Sequence, residues 1–260
     1  MAVGIARPDQ QLDEGMAASL TEVVQRDDVH DGQGYVDPVG KPRSPGGRAR
    51  LVVARLAELY PGSAKELCAL DFDDPYQLLV ATILSAQSTD ARVNMTTPAL
   101  FAAYPDPAAL AAANPADVEE LVRSTGFFRS KTRSLIGMAT AVSERFGGTV
   151  PPDLSDLVTI PGVGRKTGNV VRSVAFGLPG LPVDTHVLRL SKRLGLTDRL
   201  PPKQRDDAVK VELDLNTLVP AAERGSFSLR MILHGRAVCV ARKPRCDRCV
   251  LADFCPSAFL

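Results

Sequence analysis

The chain has 260 residues, with 31 Lys and Arg against 30 Asp and Glu, a formal net charge of +1. That length allows one large domain or two modest ones, and 45% hydrophobic with 23% charged residues is an ordinary globular composition. No stretch approaches about 18 uninterrupted apolar residues, and the N-terminus has no basic start followed by a long apolar run, so neither a membrane span nor a secretory signal is expected.

Residues 1–47 form a distinct tract. Pro8, Pro38, Pro42 and Pro45 stand among many Gly, Asp and Gln residues, and apolar periodicity is weak apart from a short helical pattern near Met16–Val24. A disordered extension is the expectation. From Arg48 the pattern becomes helical. Leu51, Val52, Arg55, Leu56 and Leu59 give the spacing of an amphipathic helix, closed by Pro61-Gly62. Tyr76–Ser85 is apolar nearly all round, which predicts a fully buried helix. Asn114-Pro115 reads as an N-cap with proline at the first helical position. Further helices are predicted over Ser130–Phe146, Leu154–Thr159, Thr167–Phe176, Thr185–Leu194, Pro202–Leu218 and Ala221–Val238. No segment alternates like a strand between turns. The expected fold class is all-α, about ten helices on short loops.

Charge is unevenly spread along this chain. Residues 51–120 are net −7, whereas 121–150 are +4, 160–195 are +5 and 226–260 are +4. Basic tracts that converge in space make a footprint for a phosphate backbone. The near-neutral total then predicts one basic face and an acidic back.

Three segments carry chemistry. The first is IPGVGRKTGN at 160–169, a tight turn between two predicted helices. Glycine permits φ > 0 there. Backbone N–H groups at such a helix start can bind a phosphate, the logic of a helix-hairpin-helix. A Walker loop is excluded, because one residue separates the glycines and no strand precedes them. Lys166 begins the following helix, and its position suits two roles, a phosphate-binding cation or an amine that attacks carbon and forms a Schiff base. The second segment is PVDTHVLRLSKRL. Asp184, the sole acid among six cations in residues 160–195, is placed to cap a helix or to act as a base.

The third segment is Cys239-x6-Cys246-x2-Cys249-x5-Cys255. Disulfides are not expected in a reducing compartment, and four thiolates within 17 residues can wrap one compact centre. Zinc and a [4Fe-4S] cluster are both candidates, and a single CxxC with spread partners suits the larger cluster better. Arg242, Lys243, Arg245 and Arg248 lie between or beside the ligands, where cations offset the cluster's negative charge or face a phosphate. Cys68 stands alone and reads as a small core hydrophobe.

Together, IPGVGRKTGNVV, VDTHVLRLSKRL and the terminal cysteine pattern resemble the endonuclease III family of DNA glycosylases, of the helix-hairpin-helix glycosylase superfamily. LSAQSTD at 84–90 and GFFRSKT at 126–132 match further stretches of that family. The resemblance spans about residues 48–260. It implies a two-lobed all-α fold. One lobe would be a six-helix barrel at about 68–178. The other would be an iron–sulfur lobe of 48–67 plus 179–260.

It also implies a bifunctional glycosylase and AP lyase of base excision repair, acting as a cytoplasmic, bacterial-type monomer on duplex DNA with oxidised pyrimidines or abasic sites. Lys166 and Asp184 match the family's catalytic lysine and aspartate. Gln87 and Phe127 match residues that enter the duplex, with Phe where the family often has Leu. Gly162, Val163, Gly164, Arg165 and His186 match DNA contacts, and Cys239, Cys246, Cys249 and Cys255 the [4Fe-4S] ligands. Two readings are weaker: a non-catalytic DNA-binding module, disfavoured by Lys166 with Asp184, and an adenine-mismatch glycosylase, disfavoured by Lys166 and the chain's end soon after Cys255.

Overall fold

The computed structural model describes Pro42 and residues 44–197 and 205–259. The predicted extension lies almost wholly outside these residues, as does the start of the helix expected from Pro202. Among the described residues there are eleven α-helices and no strand. They are α1 (Pro45–Leu59), α2 (Pro75–Leu84), α3 (Asp90–Ala103), α4 (Pro107–Ala111), α5 (Pro115–Val122), α6 (Phe128–Phe146), α7 (Leu154–Leu157), α8 (Arg165–Val174), α9 (Thr185–Arg193), α10 (Arg205–Leu218) and α11 (Arg224–Ala237).

The starts follow local chemistry. Ser44, Asp74, Thr89, Asp106 and Asn114 each accept a backbone N–H of the following helix, and proline occupies the first turn after four of them. Ser44 therefore starts α1 three residues before the predicted boundary. The helix α3 was not predicted because Pro98 interrupts its pattern. It persists because one proline removes one ladder bond, while Val93, Thr97 and Leu100 stay buried. The single helix predicted from Ala221 is instead a short turn, Ala221–Glu223, followed by α11.

Two hydrophobic clusters hold the chain. The first runs from Leu70 to Val174 and centres on α2, in which Tyr76 and residues 78–84 are all buried, as its all-round apolarity predicts. The second joins Ala49, Val52 and Leu56 of α1 to residues between Leu181 and Phe254. The chain thus leaves the second cluster after α1, builds the first, and returns. The segment from the hairpin to α9 passes from one cluster to the other. Arg230 is buried and ties the second cluster together by donating to the carbonyls of Tyr60 at 3.0 Å and Gly62 at 2.9 Å.

Candidate functional site

The 160–169 segment folds as the predicted hairpin, with α7 before it and α8 after it. Gly162 has φ +79, and a Cβ there would meet Ser134 Cβ at 2.7 Å, so both conformation and space require glycine. The Val163 side chain is buried and its N–H is donated to Ile160 O at 3.0 Å. Val163 thus anchors the turn, while Gly162 and Gly164 stay exposed. No side chain caps α8 at Gly164, so its first-turn N–H groups meet no internal acceptor from a cap.

The helix α8 starts at Arg165, two residues earlier than predicted, which puts Lys166 in its first turn. Lys166 is exposed and lines a pocket with Gly162, Gly164, Thr167, Val183 and α10. Arg165 is committed elsewhere: its Nε and Nη2 donate to the two carboxylate oxygens of Glu212 at 2.8 and 2.9 Å. Cys68 packs against the first cluster, as predicted. Burial pushes its thiol up to about 11, and the charges of Asp90, Asp71 and Lys166 also reach it.

Asp184 directly follows Val183 of that pocket. Its Oδ1 accepts from the N–H groups of His186 at 2.8 Å and Val187 at 2.9 Å, so the carboxylate caps α9. Only one oxygen does this work. His186 is half-buried, and Arg189 Nη2 lies 3.0 Å from its Nδ1. The same Nη2 also donates to the carbonyls of Gly235 and Cys239. Burial holds the His186 pKa below its ordinary value; Asp184 works against this, and Arg189 and Arg236 add to it.

A second pocket adjoins the hairpin, lined by Ile83, Gln87, Phe127, Lys131, Ser134 and Gly162. Gln87 (φ 54) and Phe127 (φ 49) are two of only four non-glycine residues with positive φ among the described residues. Both are exposed, Phe127 at 66% despite its apolar ring. Left-handed backbone at non-glycine residues costs about 1–2 kcal/mol each, and such strain concentrates at functional sites. Within GFFRS the two phenylalanines part: Phe127 faces solvent, while Phe128 packs on the first cluster beneath the guanidinium groups of Arg123 and Arg129. Lys131, passed over in the sequence, is buried and donates to Thr125 O at 2.7 Å, bracing the loop that carries Phe127. A lysine one turn into α6 reads as a surface charge until the tertiary contact is seen.

The four terminal cysteines line one cavity with Leu190, Arg193, Leu194, His234 and Leu251. Burial raises the Cys249 thiol to about 11, and the charges of Cys239, Cys255 and Cys246 push it the same way. Four mutually repelling thiolates need a cationic centre. One CxxC with two spread partners fits a polynuclear cluster better than tetrahedral zinc. Arg245 of the loop lines this cavity, as the sequence suggests, but the cation hydrogen-bonded to a ligand sulfur comes from elsewhere. Arg242, Lys243, Arg245 and Arg248 are exposed, whereas Arg193 of α9 donates to Cys239 Sγ at 3.2 Å and to the carbonyls of Val240 and Ala241. His234 Nε2 lies 3.3 Å from Cys249 Sγ, and Arg55 of α1 grips the loop through Asp253 and Val250 O.

Comparison with known proteins agrees with this geometry. Residues 80–219 match the HhH-GPD superfamily of base excision DNA repair proteins, and residues 239–255 match the iron-sulfur binding domain of endonuclease III. A curated relative, endonuclease III of Synechocystis sp., is 52% identical over 81% of this chain and 93% of its own length. Two solved structures, a non-covalent endonuclease III–DNA complex and a trapped endonuclease III–DNA covalent intermediate, superpose with TM-score 0.73 at 38% identity, covering 82% of this chain and 96% of theirs. The protein's resident cofactor is therefore a [4Fe-4S] cluster, and the chain belongs to the endonuclease III family of base excision repair glycosylases and AP lyases.

Proposed function

We propose that this glycosylase and AP lyase removes oxidised pyrimidines from duplex DNA, with Lys166 as nucleophile and Asp184 as its acid–base partner. The supporting observation is the shared place of Gly162. It lines both the pocket that holds Lys166 and the pocket flanked by the strained, exposed Gln87 and Phe127. A wedge and a nucleophile on either side of one phosphate-binding turn suit an enzyme that extrudes a nucleotide before cutting it. Phe127 and Gln87 fill the gap left in the stack. The first-turn amides of α8, beside Gly162 and Gly164, hold a backbone phosphate. His186, half-buried at the start of α9, is a further contact for the strand.

The chemistry then balances on this chain's residues. The Lys166 amine forms a bond to the sugar C1′ as the C1′–N glycosidic bond breaks, and the base leaves with that electron pair. The proton lost from the amine passes to the carboxylate of Asp184, whose second oxygen is not used in capping. Ring opening gives a Schiff base, which makes the C2′ proton acidic. Asp184 passes its proton to the departing base and, ionised again, takes the C2′ proton. The 3′ phosphate leaves with the C3′–O electron pair by β-elimination, and water hydrolyses the imine to free Lys166. The [4Fe-4S] cluster, held by Cys239, Cys246, Cys249 and Cys255, supplies structural order to the loop that Arg193 and Arg55 grip.

The two hydrophobic clusters support a division into a barrel lobe at about 68–178 and a cluster lobe of 48–67 with 179–260, with the active cleft between them. The basic tracts along the cleft bind DNA through local phosphate contacts, so affinity falls with salt. The enzyme acts as a monomer in the cytoplasm, and no described helix is long and apolar enough to cross a membrane. The test is borohydride trapping on duplexes with thymine glycol or an abasic site. A covalent adduct is expected with the parent protein and none with Lys166→Ala. An undiminished adduct in that variant assigns the nucleophile elsewhere, and failure on every oxidised pyrimidine removes the substrate reading.

A further inference from the structure

The structure assigns Glu212 a role in catalysis from outside the reacting atoms: it is a positioning residue that fixes Arg165, and through it the first turn of α8 that presents Lys166. This rests on the reading of Lys166 as nucleophile. Glu212 is the one buried carboxylate among the described residues, its side chain 6% exposed against 39% for Arg165. Both its oxygens accept from Arg165, at 2.8 and 2.9 Å, the two-point geometry that fixes orientation as well as distance. Arg165 is the residue immediately before Lys166 in α8.

Two further features give the pair its purpose. The helix α8 has no side-chain cap at Gly164, so the usual device for fixing a helix start is missing where the nucleophile sits. The pair also crosses between the two hydrophobic clusters. Glu212 stands on α10, whose Val211 and Leu215 belong to the second cluster, and Val170, Val171 and Val174 root α8 in the first. Glu212 itself lines the Lys166 pocket, with Val183 beside Asp184. The bond thus holds the element bearing Lys166 against the half of the molecule bearing Asp184. A displacement of about 1 Å between catalytic groups is enough to cost about 100-fold in rate.

The asymmetry of exposure identifies the right probe. Losing Arg165 strands a buried carboxylate, whereas losing the Glu212 charge leaves an arginine that water can reach. Glu212→Gln and Glu212→Asp are therefore the variants of choice, the second keeping the charge but shortening its reach. Single-turnover β-elimination on an abasic duplex is expected to slow about 10- to 100-fold in both. Duplex Kd should change by less than about threefold, since Glu212 is buried away from the strand and the first-turn amides of α8 remain. Borohydride should still trap Lys166. Arg165→Gln combined with Glu212→Gln should slow the reaction no further than the worse single variant, because the pair acts as one unit. Iron content and circular dichroism matching the parent establish that the variants fold. Where Glu212→Gln does not fold, the exchange Arg165→Glu with Glu212→Arg is compared with each of its single changes, and rate recovery is expected.

Rates within about twofold of the parent in folded Glu212 variants overturn the proposal. So does a loss confined to Kd, or one that adds fully to the loss from Arg165→Gln. A lost dependence of trapping on Lys166 overturns the reading beneath it instead.

Discussion

Asp184 caps α9 and, in the proposed mechanism, also acts as acid–base partner, and different substitutions separate the two tasks. Its Oδ1 accepts from two backbone N–H groups, at 2.8 and 2.9 Å, and caps α9. Replacement by alanine removes that cap and should cost about 1 kcal/mol, within the usual span of about 0.5–2. For a chain of this size that lowers Tm by about 2–4 °C. Asparagine keeps the accepting oxygen in the same place and is as good a cap, so Asp184→Asn should lose only the attraction between the carboxylate and the helix dipole, about 0.3–1 kcal/mol.

Catalysis should not distinguish them, because both lose the ionisable oxygen. Excision and lyase rates should fall about 100- to 10,000-fold in either variant. The assay pairs urea or thermal unfolding with single-turnover kinetics on the same preparations. A further signature sits on His186, whose pKa the Asp184 charge raises. Both variants should lower the His186 pKa, which its ring proton shifts report by NMR. A fully active Asp184→Asn protein refutes the catalytic assignment and leaves Asp184 a cap alone. Equal stability of parent, Asn and Ala forms refutes the energetic weight given to the cap.

Other perturbations test other parts of the molecule. Phe127→Gly relieves a left-handed phenylalanine and should stabilise the fold by about 1 kcal/mol. It should slow excision from duplex DNA while sparing cleavage of a single-stranded abasic site, which needs no wedge; a duplex rate equal to the parent's removes Phe127 from the mechanism. Gly162→Ala should destabilise by about 1–3 kcal/mol in urea, since its Cβ meets Ser134 Cβ at 2.7 Å with φ at +79. Adding Ser134→Gly should recover only the steric share. Burial holds His234 down at about 4. Between that value and the ordinary 6.5 the unfolded chain binds the extra proton, so stability rises with pH in this window and is lost on acidification. From pH 7 to pH 5 the loss should be about 2 kcal/mol. Denaturant midpoints that stay flat across this range contradict it.

The sequence alone pointed to the residues of the site, because residue type and short spacing mark them. The local reading left Lys166, Asp184 and the cysteines two roles each, and the family resemblance chose between them. The glycine turn, Lys166, the aspartate after Pro182-Val183 and the four cysteines each lie within a segment shorter than about twenty residues, where backbone geometry follows from local rules. The all-α class was legible for the same reason, as helix periodicity repeats within a few turns. What stayed hidden were long-range partners. Nothing near Arg165 marks Glu212, 47 residues later, as its acceptor. The cysteine loop is rich in cations, yet the one against its sulfur is Arg193, 46 residues earlier. Lys131 reads as a solvated charge and is buried. The burial of a charge is set by which surfaces meet when the helices pack, and only the tertiary structure decides that. Strain is hidden likewise: Gln87 and Phe127 carry no local signal for φ > 0, and the packing around them, including the brace from Lys131 to Thr125, imposes it.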